Sequence, residues 1–372
     1  MKRFRILRRW FGRKIGYSRL FCAGLLIALA ALRIADPAAL EEIRVRTFDT
    51  FQVLDPRVKT VKPVVIVDID ERSLAKLGQW PWPRSRIADM IINLTRLGAV
   101  VIAFDMVFPE PDRLNTDALA DSIRYLDEAT RAKLRALPSN DQIFADAIKR
   151  SRVVLGQSGL SEVLREFDKS LPVTGLAMLG EEPQQFMVTF PGLLRNVHVL
   201  EEAAAGRGLF SIKAERDGIV RRVPMLMQAQ GVTLPSLSFE ILRVVTSTRT
   251  ILVKSEKSGI KSIAVSGLVV PTDRNGQLWV HFAHHDPSIY VSAADVLDET
   301  VPPSMIKGKL VLIGTSATGL NDIKTTPVDP AIPGVEVHAQ VLESALTHSL
   351  LTQPNYGIVV EFCAALLLGI FV

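Results

Sequence analysis

VVIVDIDERSLAKLGQWPWPRSRIADMIINLTRLGAVVIAFD, residues 64–105, decides how this chain is read. It opens on β-branched residues and passes through a Trp-Pro-rich loop. Ile87, Met90, Ile91, Leu94 and Leu97 then recur at helical spacing until Gly98 stops the helix, and residues 100–104 resume the apolar run. Strand, helix and strand make one βαβ unit, so the two strands are expected to be parallel. Each closes on acid: Asp68 and Asp70 share a face at the end of the first by two-residue periodicity, and Asp105 ends the second. Ligands of open α/β sheets gather at such strand ends.

The ends of the chain are of different material. The first 35 of the 372 residues hold nine Lys/Arg and no acid, so the net charge of +5 belongs to the tail and residues 36–372 carry −4. The remainder has no long basic run interleaved with aromatics, which argues against a nucleic-acid surface. Eight positive charges precede the apolar run 20–32, an asymmetry that keeps the N-terminus in the cytoplasm and sends the chain beyond the run across the membrane. The run is short, and Ala28-Leu29-Ala30 also fits a signal-peptide cleavage site; either outcome exports the globular part. A second apolar run, from Tyr356 to the end, is interrupted only by Glu361 and is shorter than a spanning helix, so the chain is expected to stop inside a membrane helix, with a short membrane-associated helix as the alternative. The organisation expected is a basic cytoplasmic tail (1–19), a transmembrane helix (20–35), an exported domain (36–354) and the start of a second transmembrane helix (355–372). Cys22 and Cys363 both lie in the apolar runs, so the exported part needs no disulfide.

Residues 40–54 show a helical stripe beside the membrane. After the βαβ unit, residues 108–140 read as a polar surface excursion, 141–149 as a helix capped by Asn140 or Asp141, and 153–155 as a short buried strand. Residues 157–182 are weakly patterned. A strand is expected at 208–212, a turn at Asp217-Gly218, and a helix over 235–245 with Pro235 in its first turn. Asn275-Gly276 signals a hairpin joining 268–270 to 278–282. Residues 309–313 form a central strand and 333–346 a final helix. The whole predicts an α/β fold: a mixed, largely parallel sheet with flanking helices and antiparallel hairpin additions, between two transmembrane helices.

Several motifs are weighed for chemistry. Asp68, Asp70 and Asp105 suit a cation, a polar ligand or acid/base work, or else cap helices and accept loop amides; no His stands near them in sequence to support a metal hydrolase. Residues 314–319, GTSATG, have the glycine spacing of a P-loop, but Leu320-Asn321 replaces its Lys and Ser/Thr, so a tight turn holding Thr315 is the better reading. His281, His284, His285 and Asp286 have metal-like composition on backbone passing from strand to loop, where their side chains diverge. Trp80-Pro81-Trp82-Pro83-Arg84 is either an aromatic wall with Arg84 aimed at a ligand acid or a lid over the sheet. Arg221 and Arg222 come just after a turn; Arg221 is expected to contact an anion or to pair with the acidic trio. Ser158 and Ser316 lie in no nucleophile elbow.

Residues 44–49 (RVRTFD), VVIVDIDERSLAKLGQWPWPRS, FDMVFPEPD, GLFSIKAERDGIVRR, PSLSFE and GKLVLIGTSATGLNDIKTTPVDPAIPGVEVHA together resemble the type-two CHASE domain, the extracellular sensory domain associated with bacterial cyclases and histidine kinases. The resemblance spans nearly the whole chain in order. It implies an N-terminal anchor, an exported sensor, further membrane helices and a cytoplasmic output domain. The 113–141 excursion resembles sensors placed before class III cyclases, which implies an adenylate or guanylate cyclase output making cyclic AMP from ATP, Mg or Mn at that output, and a homodimer. A histidine kinase or cyclic-di-GMP enzyme is the alternative output. An exported metal-dependent hydrolase or a structural envelope protein is the alternative of another class. No ligand carries over from the resemblance, and no cofactor is expected in this region. The candidates for lining the site of an unidentified extracytoplasmic ligand come from the residues themselves: Asp68, Asp70, Trp80, Trp82, Arg84, Asp105, Arg221 and Thr315. None is expected to be catalytic.

Overall fold

A computed structural model describes residues 21, 24–31, 38–164, 173–320, 322–352, 360, 362–364 and 367. The chain divides into two units, one made of Met1–Leu54 with Thr352–Val372 and the other of Asp55–Leu351. In the first, residues 24–31 and Ala38–Leu54 are helical, and Phe21, Ile27, Val360 and Leu367 expose large apolar side chains. Among the described residues no helix is long and apolar enough to cross a membrane. The whole of the basic tail and much of both expected membrane segments lie outside the described residues.

The second unit is built on β1 (Val64–Ile69), α1 (Arg84–Arg96), β2 (Val101–Phe104), α2 (Asn140–Lys149), β3 (Val153–Leu160), β4 (Gly206–Leu209), α3 (Leu237–Val245), β5 (Tyr290–Ser292), β6 (Leu310–Thr315) and α4 (Gly334–Leu346). The six strands form one parallel sheet in the order β5-β1-β6-β2-β3-β4, with Gly192–Leu194 antiparallel against the end of β3. The expected βαβ unit is present and its strands are parallel, but they are not neighbours. β6, arriving some two hundred residues later, lies between them, with Asp68 opposite Gly314 and Phe104 opposite Ile313.

Strand alternation divides the sheet between two cores. Val65, Val67, Ile69, Ile102 and Phe104 pack with Ile87, Met90, Ile91 and Leu94 of α1 and with Phe144 and Ile148 of α2. Val64, Ile66, Val101 and Ala103 face the other way, onto Leu237, Phe239 and Ile241 of α3 and onto α4. That side also carries an antiparallel meander of Thr250–Glu256, Gly259–Val265 and Leu268–Pro271, edged by Gly175–Leu179.

Three local expectations are corrected. Asn275-Gly276 does turn, with Gly276 at φ 72°, but its flanks pair elsewhere: Gln277–Trp279 with Arg222–Pro224, and Leu268–Pro271 with Gly259–Val265. Two-residue hairpin turns stand at Lys257-Ser258 and at Ser266-Gly267 and Gln230-Gly231, the last two with all four residues at positive φ. Pro235 ends a strand rather than opening α3, which is capped by the Ser236 hydroxyl, and α2 is capped by Ser139 instead of Asn140 or Asp141. The surface excursion forms two short helices, Thr116–Ser122 and Glu128–Arg135, with Tyr125 wholly exposed between them.

The course of α4 sets where the chain leaves this unit. A Cβ added at Gly314 would stand 2.6 Å from the Val335 side chain, so α4 begins close against the C-terminal end of β6. Val337, Val341, Leu342 and Ala345 share a core with Val64 and Leu310, so the helix runs back over the sheet. Thirteen helical residues and six strand residues both span about 20 Å. The last turn of α4, with Leu350 packed beyond it, therefore lies at the N-terminal edge of the strands.

Candidate functional site

At the C-terminal ends of β1 and β2 the structure forms a cleft of about 320 Å3 between residues 80–87 and 106–113. Asp70 builds one wall from below: its carboxylate accepts the Ser73 N–H at 2.8 Å and caps the helix Glu71–Leu77, which stops at Gly78 with φ 88°. The buried Trp82 indole N–H donates to the Gly78 carbonyl at 2.9 Å, and Trp80, half-buried, meets Trp82 edge-on with ring centres 5.3 Å apart. The Trp80-Pro81 peptide is cis.

Arg84 fixes the opposite wall to this one. It is 7 % exposed, its guanidinium donates to the Asp141 carboxylate and the Glu110 carbonyl, and its backbone N–H donates to Asp112 Oδ2 at 2.7 Å. Asp141 also accepts the Asn115 amide at 2.7 Å and the Asp112 N–H at 3.2 Å. Phe104, Phe108 and Phe144 meet edge to face beneath, and the Phe108 N–H donates to Asn196 Oδ1 at 2.8 Å. Arg84 is thus a buried brace that holds residues 108–115 against α1 and α2, with its charge already met by Asp141. The charges left at the rim are those of Glu110 and Arg113, both exposed and lining the cleft. An aromatic floor with one acid and one base above it suits a small amphiphilic molecule.

The acidic residues are dispersed over different tasks. Asp68 accepts the Ser316 hydroxyl at 2.5 Å, and burial raises its pKa against that bond. Asp70 is occupied by its cap and by the Ser292 hydroxyl at 2.9 Å. Asp105 faces α4, its Oδ1 3.9 Å from His338 Nε2; burial, with Asp322 adding to it, pushes its pKa up to about 7. Burial lowers His338 to about 4; its Nδ1 lies 2.7 Å from the Ser238 hydroxyl and its Nε2 3.2 Å from the Phe210 carbonyl. Arg221 does not reach the trio. It is buried against Glu215 at 2.9 Å and Asp217 at 2.6 Å, across its own turn. Thr315 donates to the Leu320 carbonyl at 2.9 Å and closes the glycine turn from inside. Among the described residues no group of three or more His, Cys, Asp or Glu side chains has a geometry that would hold a metal ion. The structure therefore gathers Trp80, Trp82 and Arg84 into one cleft, leaves Asp70 beneath it, and places Asp68, Thr315 and Arg221 elsewhere.

The CHASE2 domain family model matches residues 23–371. The chain belongs to the CHASE2 family. CHASE2 domains are extracellular sensor domains of signalling receptors. Neither a curated protein nor a solved structure matches the chain.

A second polar system of this CHASE2 domain was not visible in its sequence. Glu336, Gln340 and Glu343 recur along one face of α4 and are all buried. Arg57, on the segment between Leu54 and β1, donates to Gln340 Oε1 at 2.6 Å and Glu343 Oε2 at 2.7 Å. Lys59 stands 3.7 Å from Glu336, whose other oxygen accepts the Tyr290 hydroxyl at 2.7 Å and lies 2.5 Å from His285 Nδ1. Burial and Glu336 together push the Tyr290 pKa up. The histidines diverge as their backbone predicts: His284 turns to Asp329 at 3.4 Å, and Asp286 to Lys62 at 2.8 Å, which holds the Asp286 pKa well below the usual carboxylate range. The Glu-x3-Gln-x2-Glu spacing of Glu336, Gln340 and Glu343 was the one available signal.

Proposed function

We propose that the CHASE2 domain is the periplasmic ligand sensor of a bacterial plasma-membrane receptor, with the Trp80 cleft as its site and α4 as its output lever. The observation that carries this reading is continuity. Residues 106–113, one wall of the cleft, leave directly from Asp105, and Asp105 adjoins His338 on α4. Gly156 presses on this junction: a Cβ there would stand 2.5 Å from the Phe104 carbonyl oxygen and 2.7 Å from that of Met106. A ligand that draws the two walls together displaces Asp105 against α4, and α4 leads to the second apolar run. A coupling of about 1–3 kcal/mol changes an output several-fold.

The remaining parts of the reading rest on the sequence and on the family. The N-terminal tail is cytoplasmic, the runs at 20–35 and 355–372 enter the membrane, and the exposed apolar side chains of Phe21, Ile27, Val360 and Leu367 suit lipid. The output domain is a class III nucleotide cyclase with its own Mg or Mn, working as a homodimer. The test is cyclic nucleotide formation by membranes carrying the protein with its reading frame continued past Val372. Cyclic AMP made from ATP, and changed by Trp80→Ala without loss of insertion, supports sensor and output together. Intact inserted protein without cyclic product refutes the cyclase output, and an unchanged response in the Trp80 variant refutes the cleft.

A further inference from the structure

The N-terminal edge of the parallel sheet is strongly basic. Lys149 and Arg150 end α2, Arg152 precedes β3, and Lys307 and Lys309 precede β6. Backbone bonds bring them to one edge: the Ile102 N–H donates to the Arg152 carbonyl at 2.9 Å, the Val100 N–H to the Lys309 carbonyl at 2.9 Å, and the Gly308 N–H to the Gly98 carbonyl at 3.0 Å. A cleft of about 480 Å3 opens there, lined by Thr95, Val100 and Ile102 and by Lys149, Arg150 and Arg152. Four of the five cations are exposed and Lys309 is half-buried. Among the described residues none of the five makes an ion pair, whereas nearby Arg96 is held by Glu299 at 2.6 Å. Five unmatched charges on one edge stand out in a chain whose residues from 36 onward sum to −4.

The same edge is where the chain leaves the domain. Arg57 lies beside Glu343 in the last turns of α4, the Leu310 N–H donates to the Pro63 carbonyl at 2.9 Å, and Leu350 still packs on the core. Five residues separate Leu350 from Tyr356, where the second apolar run begins, a reach of at most about 20 Å.

We propose that this edge docks on anionic phospholipid headgroups, with lipid phosphates seated among Lys149, Arg150 and Arg152. The proposal rests on the membrane reading above. Guanidinium forks match phosphate oxygens, and each Lys or Arg near an anionic surface contributes about fivefold in binding. Contact at this edge holds the sensor upright with the Trp80 cleft away from the bilayer, and fixes one end of the lever formed by α4.

The full chain, with Cys22 and Cys363 replaced by Ser, is labelled with a fluorophore at Ser151→Cys and reconstituted in vesicles of phosphatidylcholine alone or with 30 mol % phosphatidylglycerol, each carrying an acceptor lipid. Flotation after alkaline wash reports insertion separately. Expected are strong energy transfer only with phosphatidylglycerol, its loss at 0.5 M salt, a drop of at least fivefold in the bound fraction with Arg150→Glu/Arg152→Glu, and low transfer throughout from a label at Glu110→Cys. Inserted protein whose Ser151→Cys signal ignores lipid charge overturns the docking alone; failure to float overturns the membrane reading. Loss of the signal to inorganic phosphate at constant ionic strength overturns the lipid in favour of a free anion.

Discussion

Replacing Arg57 by Met tests whether the segment entering the domain is locked to the helix that leaves it. Arg57 and Glu343 have side chains 3 % and 0 % exposed, so the substitution leaves a carboxylate buried with no cation at bonding distance. Breaking one side of such a pair costs about 3–5 kcal/mol. Arg57 also donates to the His281 carbonyl at 3.0 Å and to Gln340, which places the loss toward the upper end of that range. Glu343→Leu alone strands Arg57 in the same way. Arg57→Met/Glu343→Leu removes both charges and fills the space with apolar atoms, so it is expected to cost at least about 2 kcal/mol less than the two single changes added together. The assay is urea unfolding of the full chain in lipid discs, with Trp10 replaced by Phe so that the fluorescence is that of Trp80, Trp82 and Trp279. Additive losses, or an Arg57→Met cost below about 1 kcal/mol, would refute the lock.

The same geometry sets three further outcomes. Arg84→Ala leaves Asp141 buried without its partner and is expected to lose about 3–5 kcal/mol, while Asp141→Asn keeps the contact with Asn115 and loses less; equal losses by urea unfolding would contradict the brace. Gly314→Ala drives a methyl into Val335 and is expected to cost about 1–3 kcal/mol and to shift basal output; an unchanged stability would mean α4 is not pressed on β6 there. Asp105 and His338 give opposite pH slopes. Asp105 has a folded pKa of about 7, so the native state holds its proton where the unfolded chain has lost it, and up to about 4 kcal/mol of stability is lost as pH rises from about 4 to 7. His338, at about 4, must charge in the unfolded chain first, so up to about 3 kcal/mol is lost as pH falls from about 6.5 to 4. The parent chain is therefore expected to respond weakly between pH 4 and 6.5, Asp105→Asn to lose stability as pH falls toward 4 through His338 alone, and His338→Asn to lose it as pH rises toward 7 through Asp105 alone. Parallel pH profiles in all three would exclude the pair.

What was legible in the sequence was local. The helical spacing of Ile87, Met90, Ile91 and Leu94 and the β-branched run before Asp68 specify a βαβ unit because each signal is complete within twenty residues. The insertion of β6 between β1 and β2 was not, since an apolar strand carries no mark of which neighbours it pairs with. Asn275-Gly276 bent the chain as its chemistry requires, but the meander took one flank and Arg222–Pro224 the other. The Trp-Pro stretch announced the cleft, while the role of Arg84 hung on Asp141, fifty-seven residues away, and so could not be read beside it. Glu336, Gln340 and Glu343 pass for the solvent face of an amphipathic helix until Arg57 and Lys59 arrive to cover them.

That covered stripe bears on the lever role proposed for α4. A wholly apolar seam between α4 and residues 55–63 would hold more tightly, because apolar replacements of buried ion pairs are often neutral or stabilising. Here the seam keeps two buried carboxylates, and it does not satisfy them fully: Lys59 Nζ and Glu343 Oε1 are buried without a hydrogen-bond partner. An unmade bond on each side costs about 1–3 kcal/mol and is recovered by any small slide that brings a cation and a carboxylate oxygen together. Arg57 thus holds the seam at Glu343 and Gln340, while Lys59 stays 3.7 Å from Glu336 without a hydrogen bond. Under the proposed reading, a seam with unmade polar bonds yields to a small displacement of α4 more readily than a smoothly packed apolar one.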